Sequence, residues 1–468
     1  MNPITAVQDL VKALEAGNYD AAPSTLVQGS ALQIEDLQSV MNVVTADMSH
    51  IKLQKMLSTE TCKSTTWQFN RQLSYGINGG SAQLEGNVGQ EETSDYVRIA
   101  IPITYYSHIR RVTVASTLVA TADGKKSDER AAQDAAIKLA MDIEFDCFRG
   151  MDDFTNSGVF DGNPLTTSDT MPNMHGLGLQ IRQSDFQANS RDQLFSEYGS
   201  DESVVLSGGG STLTQGIIED GALRSSLGFG EADKLVVDPV VLANYNKITF
   251  GKERIILAGS PQDATSGDLR RQWVSGGTVN IEASQFLRAK MKPARARANG
   301  PSAPLSFTAN ATTATNPTGL PAGDYTDYVT AGNEVGESPA CTAVTETALI
   351  NEKVILSITH PSSGVYRFFN VYRTAAGGAV TTAKFIGRVV PAVSTPTSFV
   401  DLNNKVPGFV TGYFLQKDGA ELRQLAPYSR LKLAVSDLSM PEAHFRFLGL
   451  AVTTPRKFVI LDNLKGTL

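Results

Sequence analysis

An α+β fold interrupted by an inserted all-β sandwich is what this sequence predicts. Outside residues 300–405, stretches of alternating apolar residues and stretches of helical apolar spacing follow one another along the chain. Inside that stretch Thr, Ala, Gly, Pro and Val dominate, with short strands at intervals suited to a sandwich. The first composition resumes over 406–468. A chain of 468 residues exceeds one typical domain, so two or three are expected.

Composition narrows the function classes. A 41% hydrophobic content is enough for a real core, and a net charge of −7 argues against nucleic-acid binding through overall positive charge. Cys62, Cys147 and Cys341 form no CxxC pair, which disfavours a zinc ribbon or a thioredoxin-type site and fits synthesis in a reducing cytoplasm. The first residues lack a basic-then-apolar leader, and no 18-residue apolar window occurs, so a soluble chain made without export and without a membrane partner is expected.

Residues 1–66 read as a helical arm. Ile4, Val7, Leu10, Val11 and Leu14 recur at helical spacing before Gly17, and Leu32, Ile34, Leu37, Val40, Met41 and Val44 form a second series. Residues 67–116 read as a long polar hairpin. Trp67, Phe69 and Leu73 alternate outward, and Ile99, Ile101, Ile103 and Tyr105 alternate on the return. The glycine-rich middle cannot fold alone, so it either moves or docks on a neighbour.

Within 117–210 the clearest helix spans Ser127–Arg149. Ser127 suits an N-cap, and Asp128 and Glu129 suit the positive end of the helix dipole. Ala132, Ala136, Leu139, Ala140, Ile143 and Cys147 make one stripe, and Gly150 stands where a C-terminal cap belongs. Over 211–295, Leu213, Ile217, Ile218 and Leu223 suggest a helix, and Lys234–Val237 a buried strand ending at Asp238-Pro239. Pro239 opens another helix, while Ile255–Leu257 and Val279–Ile281 suit strands. Arg430–Val435 and two apolar runs, Phe445–Val452 and Phe458–Leu464, supply the closing strands.

No catalytic constellation emerges, and no cofactor or metal is expected. Gly124-Lys125-Lys126-Ser127 matches only the end of a P-loop, since Val119 replaces the upstream glycine. Ser207-Gly208-Gly209-Gly210-Ser211 is read as a flexible link rather than an anion cradle. Asp152, Asp153 and Asp161 match no calcium loop and are read as solvated. The five histidines show no ligand spacing, and no GxSxG elbow occurs. Asn310-Ala311-Thr312 is a glycosylation acceptor only in an exported protein. The run Arg288, Lys290, Lys292, Arg295 and Arg297 is a solvated linker or a contact for an acidic neighbour such as Glu85, Glu91, Glu92 and Asp95, with packaged DNA a weaker third option.

The order of long hairpin, acid-started helix, α/β region and apolar ending resembles the HK97-type major capsid protein of tailed bacteriophages. Glu144–Asp152 is similar to the end of that family's spine helix, residues 67–116 to its E-loop, and Gly449–Val452 with Pro455 and Ile460–Leu464 to its C-terminus. The likeness covers about 67–290 and 406–468. It implies an N-terminal arm, an E-loop, a P-domain of spine helix and long sheet, and an A-domain near 211–290 and 406–435. Tyr325–Ser338 and Tyr366–Arg373 resemble strands of fibronectin type III and Ig-like modules, which places such a module as an insertion in the A-domain.

The function implied is a non-enzymatic subunit that self-assembles into hexamers and pentamers of an icosahedral head shell around double-stranded DNA. It would be made in the host cytoplasm and reside in the virion. Scaffold, portal and decoration proteins are implied partners, and DNA a non-specific one on the inner surface. Two alternatives stand beside it: a tail or baseplate protein whose sandwich binds host glycans, and a carbohydrate-active enzyme with a fibronectin-type module. The second needs a paired-carboxylate cleft.

Overall fold

The computed structural model describes residues 48–75, 82, 84–86, 91, 93–118, 126–150, 174–186, 204–249, 271–288, 302–313, 319–332, 337–364, 366, 368–403, 405–435 and 438–467. The helices expected over 4–14 and 32–44, the acidic loop Asp152–Asp161, the strand Ile255–Leu257 and the run Lys290–Arg297 lie outside them.

The described chain begins with a one-turn helix α1 (Leu53–Met56) and strand β1 (Ser58–Thr61). Strands β2 (Thr66–Ser74) and β3 (Asp95–Pro102) pair antiparallel as the hairpin. Strand β4 (Thr104–Thr113) and the short helix α2 (Val114–Leu118) follow. The hairpin therefore ends at Pro102, not near 116. The alternation through Ile99–Tyr105 hid the break, because β4 keeps the period of two while changing partner to a distant strand. Tyr105 consequently faces out, 54% exposed.

The spine helix α3 spans Ser127–Arg149, with Asp128 and Glu129 in its first turn. Lys126, not Ser127, holds the N-cap position, and the Ser127 hydroxyl instead donates to the Ser116 carbonyl at 2.7 Å. The buried stripe holds Ala135, Leu139, Ala140, Ile143, Cys147 and Phe148, while Ala132 and Ala136 are only half-buried. Gly150 ends the helix for a reason of space. A Cβ there would lie 2.0 Å from the Met174 carbonyl oxygen, on the segment leading to α4 (Leu177–Phe186).

Next come β5 (Val205–Ser207), α5 (Gln215–Leu227), β6 (Lys234–Val237), α6 (Pro239–Thr249), β7 (Arg271–Val274) and β8 (Gly277–Ala283). Thr214 caps α5 by accepting from the Ile217 N–H, and Asp238 caps α6 by accepting from the Val240 N–H at 2.8 Å. Ser207–Ser211 is neither a loose link nor an anion cradle. Gly208 and Gly210 donate their N–H groups to the Asp462 and Asn463 carbonyls at 2.7 and 2.9 Å.

Among the described residues, 306–401 hold seven strands: β9 (Ser306–Thr313), β10 (Gly323–Gly332), β11 (Val344–Ala348), β12 (Glu352–Thr359), β13 (Phe368–Arg373), β14 (Lys384–Val389) and β15 (Thr397–Asp401). They form one sheet in the order β11-β10-β13-β14 and another in the order β15-β12-β9. Alternate residues of both sheets, among them Val329, Val354, Leu356, Phe369, Val371 and Val389, share one core.

Strands β16 (Phe409–Leu415), β17 (Ala420–Lys432), β18 (Ser439–Val452) and β19 (Val459–Lys465) close the chain. They divide between two sheets, so 406–435 is not one unit. Strands β16 and β19 complete a six-stranded sheet, β5-β19-β16-β6-β8-β7, and β17 and β18 form the centre of β1-β17-β18-β4. Helices α3 and α4 cover the long sheet through Ile143, Phe148, Leu177, Leu422, Leu448 and Leu450. Helices α5 and α6 cover the six-stranded sheet through Ile218, Val241, Leu235, Val279 and Leu461. Each such side chain contributes about 1.5–3 kcal/mol.

Candidate inter-subunit surface

Among the described residues, the hairpin is anchored to the rest of the chain near its root. Trp67 and Phe69 stack at 4.7 Å, Arg423 lies over Trp67 at 4.3 Å, and Arg71 lies over Phe69 at 5.5 Å. Arg71 also donates from Nε to the Thr453 carbonyl at 2.8 Å and from Nη2 to the Val452 carbonyl at 2.9 Å. Burial lowers its pKa to about 10, so it stays cationic at neutral pH.

Beyond the root the hairpin shows apolar and acidic groups to the outside. Tyr75 is 86% exposed, Leu84 80% and Tyr96 65%. Glu85 sits exposed on a turn with Gly86 at φ +89°, where glycine is favoured, and Glu91 is also exposed. Asp95 opens β3 opposite Ser74, while Glu92 lies outside the described residues. A thin two-stranded ribbon with large apolar side chains outside is marginal until a second surface covers it.

Of the basic run, Arg288 alone is described, and its own chain engages it. Its Nε and Nη2 donate to the two oxygens of Asp238 at 2.6 and 3.1 Å. Asp238 is fully buried, so the fork both neutralises it and fixes the α6 cap. This pairing spans 50 residues and leaves no trace in local sequence.

A second junction, absent from the sequence reading, joins the arm to the spine helix. The N–H groups of Lys52, Leu53 and Gln54 donate to the Glu144 carboxylate at 3.0, 2.7 and 3.0 Å. Gln54 Nε2 donates to the Ala140 carbonyl at 2.7 Å, and Arg446 donates to Gln54 Oε1 at 3.1 Å. Burial raises the Glu144 pKa, and the three N–H groups oppose that shift. Asp146 is likewise buried and accepts from the Tyr106 hydroxyl at 2.7 Å. His108 and Lys138 meet Asp142 at 3.2 and 2.5 Å. The available signal was the spacing, since Glu144 falls four residues after Ala140 on the apolar stripe.

These groups work as anchors between elements. Among the described residues no group of three or more His, Cys, Asp or Glu could hold a metal ion, and no described helix is long and apolar enough to cross a membrane.

No family model matches the chain. Curated relatives match it end to end. The "Major capsid protein" of Staphylococcus phage S25-3 and that of Staphylococcus phage K are each 22% identical over 484 positions, covering 98% of this chain and 95% of the relative. The "Putative major capsid protein" of Enterococcus phage phiEF24C is 21% identical over 481 positions, covering 99% and 96%. Among solved structures, the capsid of a native GTA particle aligns with a TM-score of 0.46 at 10% identity, covering 95% of this chain and 100% of that one. That of Mycobacterium phage Ogopogo aligns with a TM-score of 0.41 at 10% identity, covering 93% and 99%. The curated matches run through the hairpin, the spine helix and both C-terminal sheets alike, and on them this chain is a homologue of the phage major capsid proteins.

Proposed function

We propose that this chain is the major capsid protein of a tailed phage, a structural subunit without catalytic duty. Copies assemble as hexamers and pentamers into the icosahedral head shell around double-stranded DNA. The end-to-end match to relatives named major capsid protein carries this reading. The hairpin supports it, because its exposed Tyr75, Leu84 and Tyr96 call for a second surface that repeated symmetric copies would supply. Scaffold, portal and decoration proteins are proposed partners, and DNA meets the inner surface non-specifically. The chain is made in the host cytoplasm and ends in the virion.

The spine helix and long sheet act as the P-domain, and the six-stranded sheet with its helices as the A-domain. The seven strands over 306–401 act as an inserted Ig- or fibronectin-like module, a reading supported by two sheets around one core. Glu85, Glu91, Glu92 and Asp95 of one copy meet basic groups of another. Arg288 is occupied by Asp238, so within the basic run the partners left for Glu92 and Asp95 are Lys290, Arg295 and Arg297.

Electron microscopy of the purified, recombinantly assembled chain tests the reading. Closed polyhedral shells or hexameric and pentameric rings are expected. A lasting monomer, even with scaffold supplied, would overturn it in favour of a tail protein. Within shells, residues 78–95 should exchange amide hydrogens more slowly than in free subunits, and equal exchange would rule out the docking hairpin.

A further inference from the structure

Four cations converge on one cleft of about 630 Å³ between α1 and the β6, β8 and β7 strands: Lys52, Lys55, Lys234 and Arg271. Glu282 is the sole acid among the lining residues, and Lys234 already holds it at 2.9 Å. Lys52 Nζ donates to the Ala283 carbonyl at 2.7 Å and Lys55 Nζ to the Met48 carbonyl at 2.5 Å. An ammonium carries three donors, so Lys52 and Lys55 each keep donors for a guest, and neither meets a carboxylate among the described lining residues. Lys52, Lys55 and Arg271 are all exposed.

The cleft is not merely basic. Ile51, Met56, Leu242 and Ile281 give it an apolar lining. Trp273 stands two residues after Arg271, on the same face of edge strand β7, and is 81% exposed. A guest that satisfies both characters needs carboxylates beside a bulky apolar side chain. Leu84 and Glu85 offer that pair on one exposed turn, with Glu91 exposed close by in sequence. The eight-residue leg of β3 spans about 27 Å from the root, far enough to carry the tip beyond its own sheet.

We propose that this cleft is the receptor for the hairpin tip of a second copy of this chain, with Glu85 and Glu91 against Lys52, Lys55 and Arg271 and with Leu84 on the apolar lining. The proposal rests on the shell reading and names a contact within it. It also gives Lys52 two tasks, since its backbone N–H holds Glu144 while its side chain faces the guest.

A charge swap tests it. Lys55→Glu with Arg271→Glu should lower the yield of sedimenting particles about tenfold or more, since like charges then face each other. Adding Glu85→Lys and Glu91→Lys in the same chain should restore assembly. Full yield from the first variant would overturn the proposal, and so would loss without rescue. Normal particles that no longer retain DNA would also overturn it and assign the cleft to phosphate groups. Should the reversed chain fail to fold by circular dichroism, Lys55→Cys with Glu85→Cys decides. Disulfide-linked multimers in oxidised particles are expected, and their absence overturns the contact. Absence of particles from the unaltered chain is a separate outcome that removes the shell reading itself.

Discussion

Asp327 should make the 306–401 module weaken as pH rises. Asp327 is 1% exposed, and neither carboxylate oxygen has a hydrogen-bond partner among the described residues. Arg373 stands opposite it across β10 and β13, but that guanidinium is turned to Asp401 and Asn403. Burial first, and Asp401 second, raise the Asp327 pKa from 3.8 to about 7. The folded module therefore holds a proton that the unfolded chain has lost at intermediate pH. Stability is greatest below about pH 4, falls as pH rises toward about 7, and is flat above. A move of that size corresponds to about 4 kcal/mol at most. Relaxation and water entry around the buried charge bring the expected loss to about 2 kcal/mol. Asp327→Asn keeps the shape and cannot ionise. It should match the parent at pH 4 and protect the module more strongly at pH 8. Hydrogen exchange of peptides within 306–401, compared between variant and parent at each pH, reads this directly, because intrinsic exchange cancels in the ratio. A ratio that does not change with pH would refute the reasoning, as would a variant weaker than the parent at pH 8.

Three further substitutions probe the anchors. Glu144→Gln leaves one acceptor for three N–H donors and should cost about 1–3 kcal/mol by denaturant unfolding, with α1 the first segment to lose exchange protection. Arg288→Ala strands the buried Asp238; because the Arg288 side chain is 43% exposed and water can enter, about 2 kcal/mol is expected, read as a lowered unfolding midpoint. Gly150→Ala forces its Cβ against the Met174 carbonyl and should cost about 1–3 kcal/mol, whereas an unchanged midpoint would mean the α3–α4 connection shifts freely.

Helix α3 was legible because three local signals agreed: acids at its start, an apolar stripe and a terminal glycine. Strands β6, β18 and β19 were legible because short apolar runs ended at turn residues, whereas β16 was not read and β17 runs over Ala420–Lys432 rather than Arg430–Val435. What sequence could not show is partnership at distance. The parallel pairing of Ser58–Thr61 with Glu421–Gln424 joins residues more than 360 positions apart. The alternation of Ile99 through Tyr105 crosses two sheets without interruption, so it could not mark the hairpin's end. At the surface, Glu85 and Glu91 were legible as exposed acids, whereas the Lys52, Lys55 and Arg271 cleft was not, because its walls come from three separate stretches of chain.

The two legs of the hairpin enter the long sheet at opposite edges, one through β1 on β17 and the other through β4 on β18. Three strand spacings, about 14 Å, separate those edges. A tug on the tip is thus shared between ten residue pairs on one side and four on the other, and it loads the sheet in shear rather than peeling one strand away. A shell under internal pressure would strain every such ribbon at once, and a straddled footing lets each bear tension without unzipping the subunit that carries it.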